Sequence, residues 1–214
     1  MRPDDNSETL KFVPVDGVFK KIADKAKNDD KNNYVIVIDE INRANISKVL
    51  GELITLLEDD KRWGETNQLS TRLPSGELFV VPNNLYVIGT MNSADKSISL
   101  IDAALRRRFD FYEVSVDYSK ITNATLREVL KRINEDLEKQ LETSDLLIGH
   151  AYFMDKTEND LCNVLNHKVI PLLYEYFFDA KEKVKGILVK ALDGFDYEPK
   201  NEVGRRLRVV KKGE

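Results

Sequence analysis

The apolar positions of this chain fall into blocks whose period changes near the middle. Gly17 to Lys27 carries Val18, Phe19, Ile22, Ala23 and Ala26 at the spacing of a short amphipathic helix. After a polar break comes Tyr34-Val35-Ile36-Val37-Ile38, a continuous β-branched run that reads as a strand buried on both faces of a parallel sheet. Ile46, Val49, Leu50, Leu53, Ile54 and Leu57 then repeat at i, i+3, i+4, i+7, which predicts one core-facing helix. Leu85 to Ile88 is a second buried strand, and Pro74-Ser75-Gly76 marks a hairpin between Leu69 and Val81. A short helix carrying Ile98, Ile101 and Leu105 leads to a third strand over Phe109 to Val116.

Beyond Asp117 the period is helical. Leu126, Val129, Leu130, Ile133, Leu137 and Leu141 mark a long helix, and Leu161 to Phe178 and Val184 to Leu192 mark two more. Strand-helix alternation followed by helices alone predicts an α/β part over 1–117 and a helical part over 118–200. Residues 1–15 read as a loop, and 201–214 as a solvated basic tail, with five positive charges in the eight residues Arg205 to Lys212.

Composition narrows the reading. Of 214 residues, 42% are hydrophobic and 33% charged, a globular composition. No apolar run reaches the roughly 18 residues of a membrane span, and no secretory leader opens the chain. One cysteine, Cys162, forms no internal disulfide, so a reducing, cytoplasmic setting is expected. The net charge of −4 argues against nucleic-acid binding through a generally basic surface. None of the ten glycines is followed by lysine, so the 214 residues contain no phosphate-cradling Gly-Lys pair.

Candidate chemistry collects at strand ends. Asp39-Glu40 closes the first strand, where open α/β sheets bind ligands. Two carboxylates held there suit a water-mediated Mg²⁺ contact and the activation of an attacking water. An acidic helix start accounts for them equally well. Thr90 and Asn92 end the next strand, and Asn92 reads as a γ-phosphate contact or as a cap. Arg106, Arg107 and Arg108 cannot all share one face, so at least one points away, suited either to a phosphoryl group across a subunit boundary or to a solvated turn. Cys162 and His167 lie on an apolar-patterned helix without metal-ligand spacing and read as structural.

Together these residues resemble the AAA+ superfamily, and within it the McrB-type proteins, motor subunits of modification-dependent restriction systems. Val35 to Asn45 (VIVIDEINRAN) resembles their Walker B segment. Gly89-Thr90-Met91-Asn92-Ser93-Ala94-Asp95 resembles their Met-Asn-x-x-Asp signature, and Asp102 to Phe109 their arginine-finger segment. Ile148-Gly149-His150-Ala151-Tyr152-Phe153-Met154 and Ile170 to Tyr176 resemble parts of their lid.

The resemblance implies an incomplete AAA+ P-loop NTPase core, a parallel sheet with flanking helices, followed by a helical lid. It implies GTP or ATP as substrate with Mg²⁺ at Asp39, Glu40 as catalytic base and Asn92 as γ-phosphate sensor. Asp95 would support the water or an arginine, Arg107 or Arg108 would act on the adjacent subunit, and Arg43 would lie at the same boundary. His150 either approaches the nucleotide from the lid or packs beside Tyr152 and Phe153. The implied partners are other subunits of a homo-oligomeric ring, a hexamer, a McrC-like nuclease, and DNA reached through an N-terminal domain or that partner. The family's P-loop belongs before Arg2, so the chain is expected to be a fragment or degenerate partner, inactive alone. The alternatives are a non-enzymatic module that joins rings of an intact homologue, or part of a remodelling ATPase unrelated to restriction.

Overall fold

The computed structural model describes residues 2–3, 12–13, 15–94, 103–201 and 206–213. The chain divides into two units, 1–112 and 113–214.

In the first unit, β1 (Arg2–Pro3) pairs antiparallel with β2 (Phe12–Val13), so the stretch read as a loop contains a minimal ladder. The helix predicted after Gly17 is α1 (Val18–Lys27), with Ala23 and Ala26 buried. The first predicted strand is β3 (Tyr34–Ile38). Asn45 accepts a hydrogen bond from the Lys48 N–H (3.0 Å) and caps α2 (Ile46–Leu50). The single helix expected to reach Leu57 stops here. Gly51 takes φ +53° and ψ −128°, a backbone state open to glycine, and the chain continues as a 3₁₀ turn over Gly51–Leu57. Ile46 of α2 and Leu56 and Leu57 of the 3₁₀ turn still face inward.

The hairpin forms as predicted, from β4 (Thr71–Arg72) and β5 (Leu78–Phe79), closed by Gly76 at φ +91°. Next comes β6 (Leu85–Gly89), which runs parallel to β3 in the register Tyr34↔Leu85 to Ile38↔Gly89. One face of this pair packs with Ala23, Ala26, Leu56, Leu57, Phe79 and Val81. The other face bears Val35, Val37, Tyr86 and Ile88, about half exposed. The expectation of burial on both faces is therefore corrected: among the described residues, the sheet is covered on one side.

The short helix α3 (Ala103–Arg106) buries Leu105 against Ile41 and Ile46. Ile98 and Ile101, which were expected to belong to it, lie outside the described residues. The third strand predicted over Phe109 to Val116 does not form. These residues have no regular structure and no ladder partner among the described residues, and Phe111, Tyr112 and Val114 are exposed. Strand composition alone supplies no neighbour to satisfy the backbone.

The second unit is helical, as its period predicts. Asn123 caps α4 (Ala124–Leu141) through the Leu126 N–H (3.0 Å), and Leu126, Val129, Leu130, Ile133 and Leu137 form its buried stripe. Asn134, also buried, closes a clamp on Ile148: its amide donates to the Ile148 carbonyl (3.0 Å) and accepts from the Ile148 N–H (2.8 Å). Residues 161–176 are helical throughout, as α5 (Leu161–Val164), a π turn (Leu165–Val169) and α6 (Ile170–Tyr176). Pro171 explains the widened turn, because it has no N–H for the carbonyl four residues back, at His167. The helix α7 (Lys181–Ala191) buries Val184, Ile187, Leu188 and Ala191.

The solvated tail is corrected as well. Arg208–Lys211 forms β8, antiparallel to β7 (Tyr197–Lys200). Leu207 and Val209 enter the helical core while Arg206 and Arg208 stay exposed. Asn166 pairs with both backbone groups of Val209, at 2.8 and 2.7 Å. Among the described residues, no helix is long and apolar enough to cross a membrane.

Candidate functional site

The parallel register brings the ends of β3 and β6 together. Pairing Ile38 with Gly89 leaves Asp39 and Glu40 beside Thr90, one residue beyond each strand. The Thr90 hydroxyl donates to Asp39 Oδ1 (2.5 Å) and accepts from the Glu40 N–H (3.1 Å). The Thr90 carbonyl accepts from the Ile41 N–H (2.8 Å), and its own N–H donates to the Ile38 carbonyl (3.0 Å). Thr90 thus binds both sides of the acidic pair. Sequence reasoning placed it at the strand end without a role, and only the register supplies one.

Two local features shape this turn. Glu40 has φ +53°, a left-handed conformation that is uncommon for a non-glycine residue and costs free energy. Gly89 lies close under the turn, so that a Cβ there would meet Ile41 Cδ1 at 2.8 Å. Any larger residue at this position would force Ile41 to shift. Ile41 in turn packs with Ile46 and Leu105, which ties the acidic turn to the segment carrying the arginines.

Arg43 is brought to the acidic pair: its Nε donates to Glu40 Oε2 at 3.0 Å, with Arg43 largely exposed. Asn92 is exposed, and its Oδ1 accepts from the Ala94 N–H (3.0 Å), a local side-chain turn. Asp95 lies outside the described residues.

The three arginines do diverge. Arg108 is turned inward and pairs with Glu58 at 2.6 Å, its side chain only 15% exposed. Arg106 lies over the Phe111 ring, 6.0 Å from its centroid. Arg107 is exposed and has no hydrogen-bond or ion-pair partner among the described residues. Of the three, it is the one with neither an ion pair nor a ring contact among the described residues.

His150 lies in the second unit, half-buried, where its Nδ1 accepts from the Asp117 N–H (3.1 Å). An accepting Nδ1 leaves Nε2 as the protonated nitrogen of the neutral ring. The Ser119 hydroxyl and N–H both donate to the Asp117 carboxylate and hold its pKa below the usual aspartate value. His167, expected as a packed structural residue, is exposed instead, while Cys162 is half-buried. Among the described residues, no group of three or more His, Cys, Asp or Glu side chains forms a metal cage.

Comparison with known proteins bears on the family and the fold. Residues 7–109 match the family described as AAA domain (dynein-related subfamily), and residues 125–185 match McrB, alpha-helical lid domain. The chain is 36% identical over 197 residues to the Type IV methyl-directed restriction enzyme EcoKMcrB subunit of Escherichia coli (strain K12), covering 80% of this chain and 43% of that protein. It is 29% identical over 218 residues to the Type II restriction enzyme BsuMI component YdiS of Bacillus subtilis (strain 168), covering 86% of this chain and 62% of that one. The chain thus spans about half the length of the curated relatives it matches. The AAA match ends at Phe109 and the lid match begins at Thr125, on either side of the division between the two units. The chain belongs to the McrB-type AAA+ proteins.

Proposed function

We propose that this chain supplies the hydrolytic half of a nucleotide site, and an arginine for a neighbouring site, in the ring-forming motor subunit of a DNA restriction system. The observation that carries the reading is the Thr90 clamp, which holds Asp39 and Glu40 at one end of a parallel sheet. The oxygens of Asp39 and Thr90 suit Mg²⁺, a hard cation that takes few protein ligands and keeps its waters. The ion, when bound with GTP or ATP, neutralises charge on the β- and γ-phosphates. Glu40 is the base for the attacking water, and Arg43 fixes its carboxylate from one side. Asn92 contacts the γ-phosphate by exchanging its turn hydrogen bond for one to nucleotide. Arg107 reaches the nucleotide of the adjacent subunit, whereas Arg108 holds the segment in place through Glu58. His150 offers Nε2–H from the lid, and Asp95 supports this constellation.

In this reading the partners are further subunits of a hexameric ring, an McrC-like nuclease and DNA. A chain without a Gly-Lys pair lacks the lysine and backbone cradle that hold the β- and γ-phosphates. Turnover of GTP and ATP with Mg²⁺ by the 214-residue chain alone is therefore expected at background. Robust turnover that Glu40→Gln abolishes would overturn that expectation.

The exposed Arg107 favours a second reading, in which the chain joins rings of an intact homologue without hydrolysing nucleotide itself. Mixing it with such a homologue separates the two roles. If Arg107→Ala lowers the homologue's turnover in the mixture while Glu40→Gln does not, the chain acts only in trans.

A further inference from the structure

The second unit carries a solvent-open groove of about 280 Å³ beside the π turn, lined by exposed side chains over buried Val164, and its lining does not belong to the site above. The widened turn forced by Pro171 carries His167 and Lys168 on the solvent side, while Leu165 and Val169 stay buried. Asn163, one turn earlier, lines the same groove, and Tyr152 and Lys156 line it from the segment after His150. Val164 adds an apolar patch.

The chemistry of this lining is one-sided. Two lysines, an imidazole, an amide and a phenol can all donate hydrogen bonds, and no carboxylate is among them. This occurs in a chain whose net charge is −4. The side chains of Asn163, His167 and Lys168 make no hydrogen bond or ion pair among the described residues, so their donors are uncommitted. Lys156 is engaged only at a distance, through its field on Asp160.

We propose that this groove is a binding site for a phosphate group. The donors come from two segments, 151–156 and 163–168, that line one groove, which suits a tetrahedral anion with several acceptor oxygens. A planar carboxylate is matched best by the fork of an arginine, and no arginine lines the groove. The volume holds a phosphate with part of its sugar, and Val164 meets the carbon side. Both a free nucleotide and a nucleic-acid backbone offer this chemistry. The inference stands apart from the hydrolytic site, since it uses none of that site's residues.

The test is NMR on the intact chain, following the His167 ring and the lysine side-chain signals. Inorganic phosphate is added at constant ionic strength against a chloride control. Saturable shifts confined to the His167 ring, Lys156 and Lys168 are expected. In the doubly substituted Lys156→Gln/Lys168→Gln chain the affinity should fall at least about tenfold, the loss of one charged hydrogen bond. Unchanged signals from Leu165 and Val169 methyls would show that this variant is folded. A nucleoside monophosphate and a short single-stranded oligonucleotide then identify the source. Tighter binding of the oligonucleotide with steep salt dependence indicates a nucleic-acid backbone, and equal binding indicates a free nucleotide. No shift, a shift reproduced by chloride, or equal affinity in the double variant would each overturn the proposal.

Discussion

Replacing Asn134 by alanine tests the internal logic of the lid. Asn134 is 2% exposed, and its amide replaces the backbone partners that Ile148 would otherwise find in a strand or helix. It donates a further hydrogen bond to the Tyr118 hydroxyl at 3.1 Å. Truncation strands one N–H and one carbonyl in a dry core, each costing about 1–3 kcal/mol, and leaves a small cavity. Tyr118 keeps access to solvent and loses less. Allowing for partial relaxation, the expected destabilisation is about 3–4 kcal/mol. Urea unfolding followed by helical circular dichroism measures it, with hydrogen exchange at the Ile148 amide as the local readout. Asn134→Asp is a sharper version, because its carboxylate faces the Ile148 carbonyl. Burial raises the pKa of such a group, so the penalty should be largest at neutral pH and shrink as pH falls. A loss below about 1 kcal/mol for Asn134→Ala, with Ile148 exchange unchanged, would refute the clamp as an energetic unit.

Other expectations concern single contacts. Thr90→Val should accelerate hydrogen exchange at the Glu40 amide by about tenfold, the loss of one hydrogen bond. It should spare the Ile41 amide, whose acceptor is the Thr90 backbone carbonyl. Gly89→Ala should destabilise the first unit by roughly 1–3 kcal/mol through overpacking against Ile41. Adding Ile41→Ala should return part of that loss in the double variant, measured by thermal unfolding. The Asp160 carboxylate accepts from the Thr157 N–H (2.9 Å) and hydroxyl (2.8 Å), which lower its pKa. A depressed folded pKa stabilises the protein above the unfolded value of about 3.9, and the contribution is lost as pH falls through the folded one. Carboxyl NMR titration should place the Asp160 midpoint below that value, and Thr157→Val should raise it.

Elements set by local pattern were legible in the sequence. The helical stripe from Leu126 to Leu137, the runs that became β3 and β6, and the turn at Pro74-Ser75-Gly76 are each determined by neighbours a few residues apart. The errors share a different origin. Phe109 to Val116 has the composition of a strand, but pairing depends on a partner elsewhere in the chain. Gly51 sits inside a regular helical period, and its left-handed backbone breaks the helix without disturbing that period. Around the start of the last strand, Leu207 and Val209 alternate with Arg206 and Arg208, a period of two that the net basic charge obscured. At the site, the acidic pair and the arginines stood out by residue type. The Thr90 clamp and the Arg108–Glu58 pair stayed hidden because they join positions 50 or more residues apart.

The left-handed backbone at Glu40 places one residue under two demands. In an extended chain, adjacent side chains point to opposite faces, so two successive carboxylates could not serve one location. The turn at position 40 breaks that alternation where the strand ends. Its backbone is one that glycine or asparagine occupies at least cost, while the proposed chemistry requires a longer carboxylate. A screen for stability alone would thus move position 40 toward glycine, and a screen for turnover in an assembled ring would return it to glutamate. The position measures how much folding free energy this fold gives up to hold a base in place.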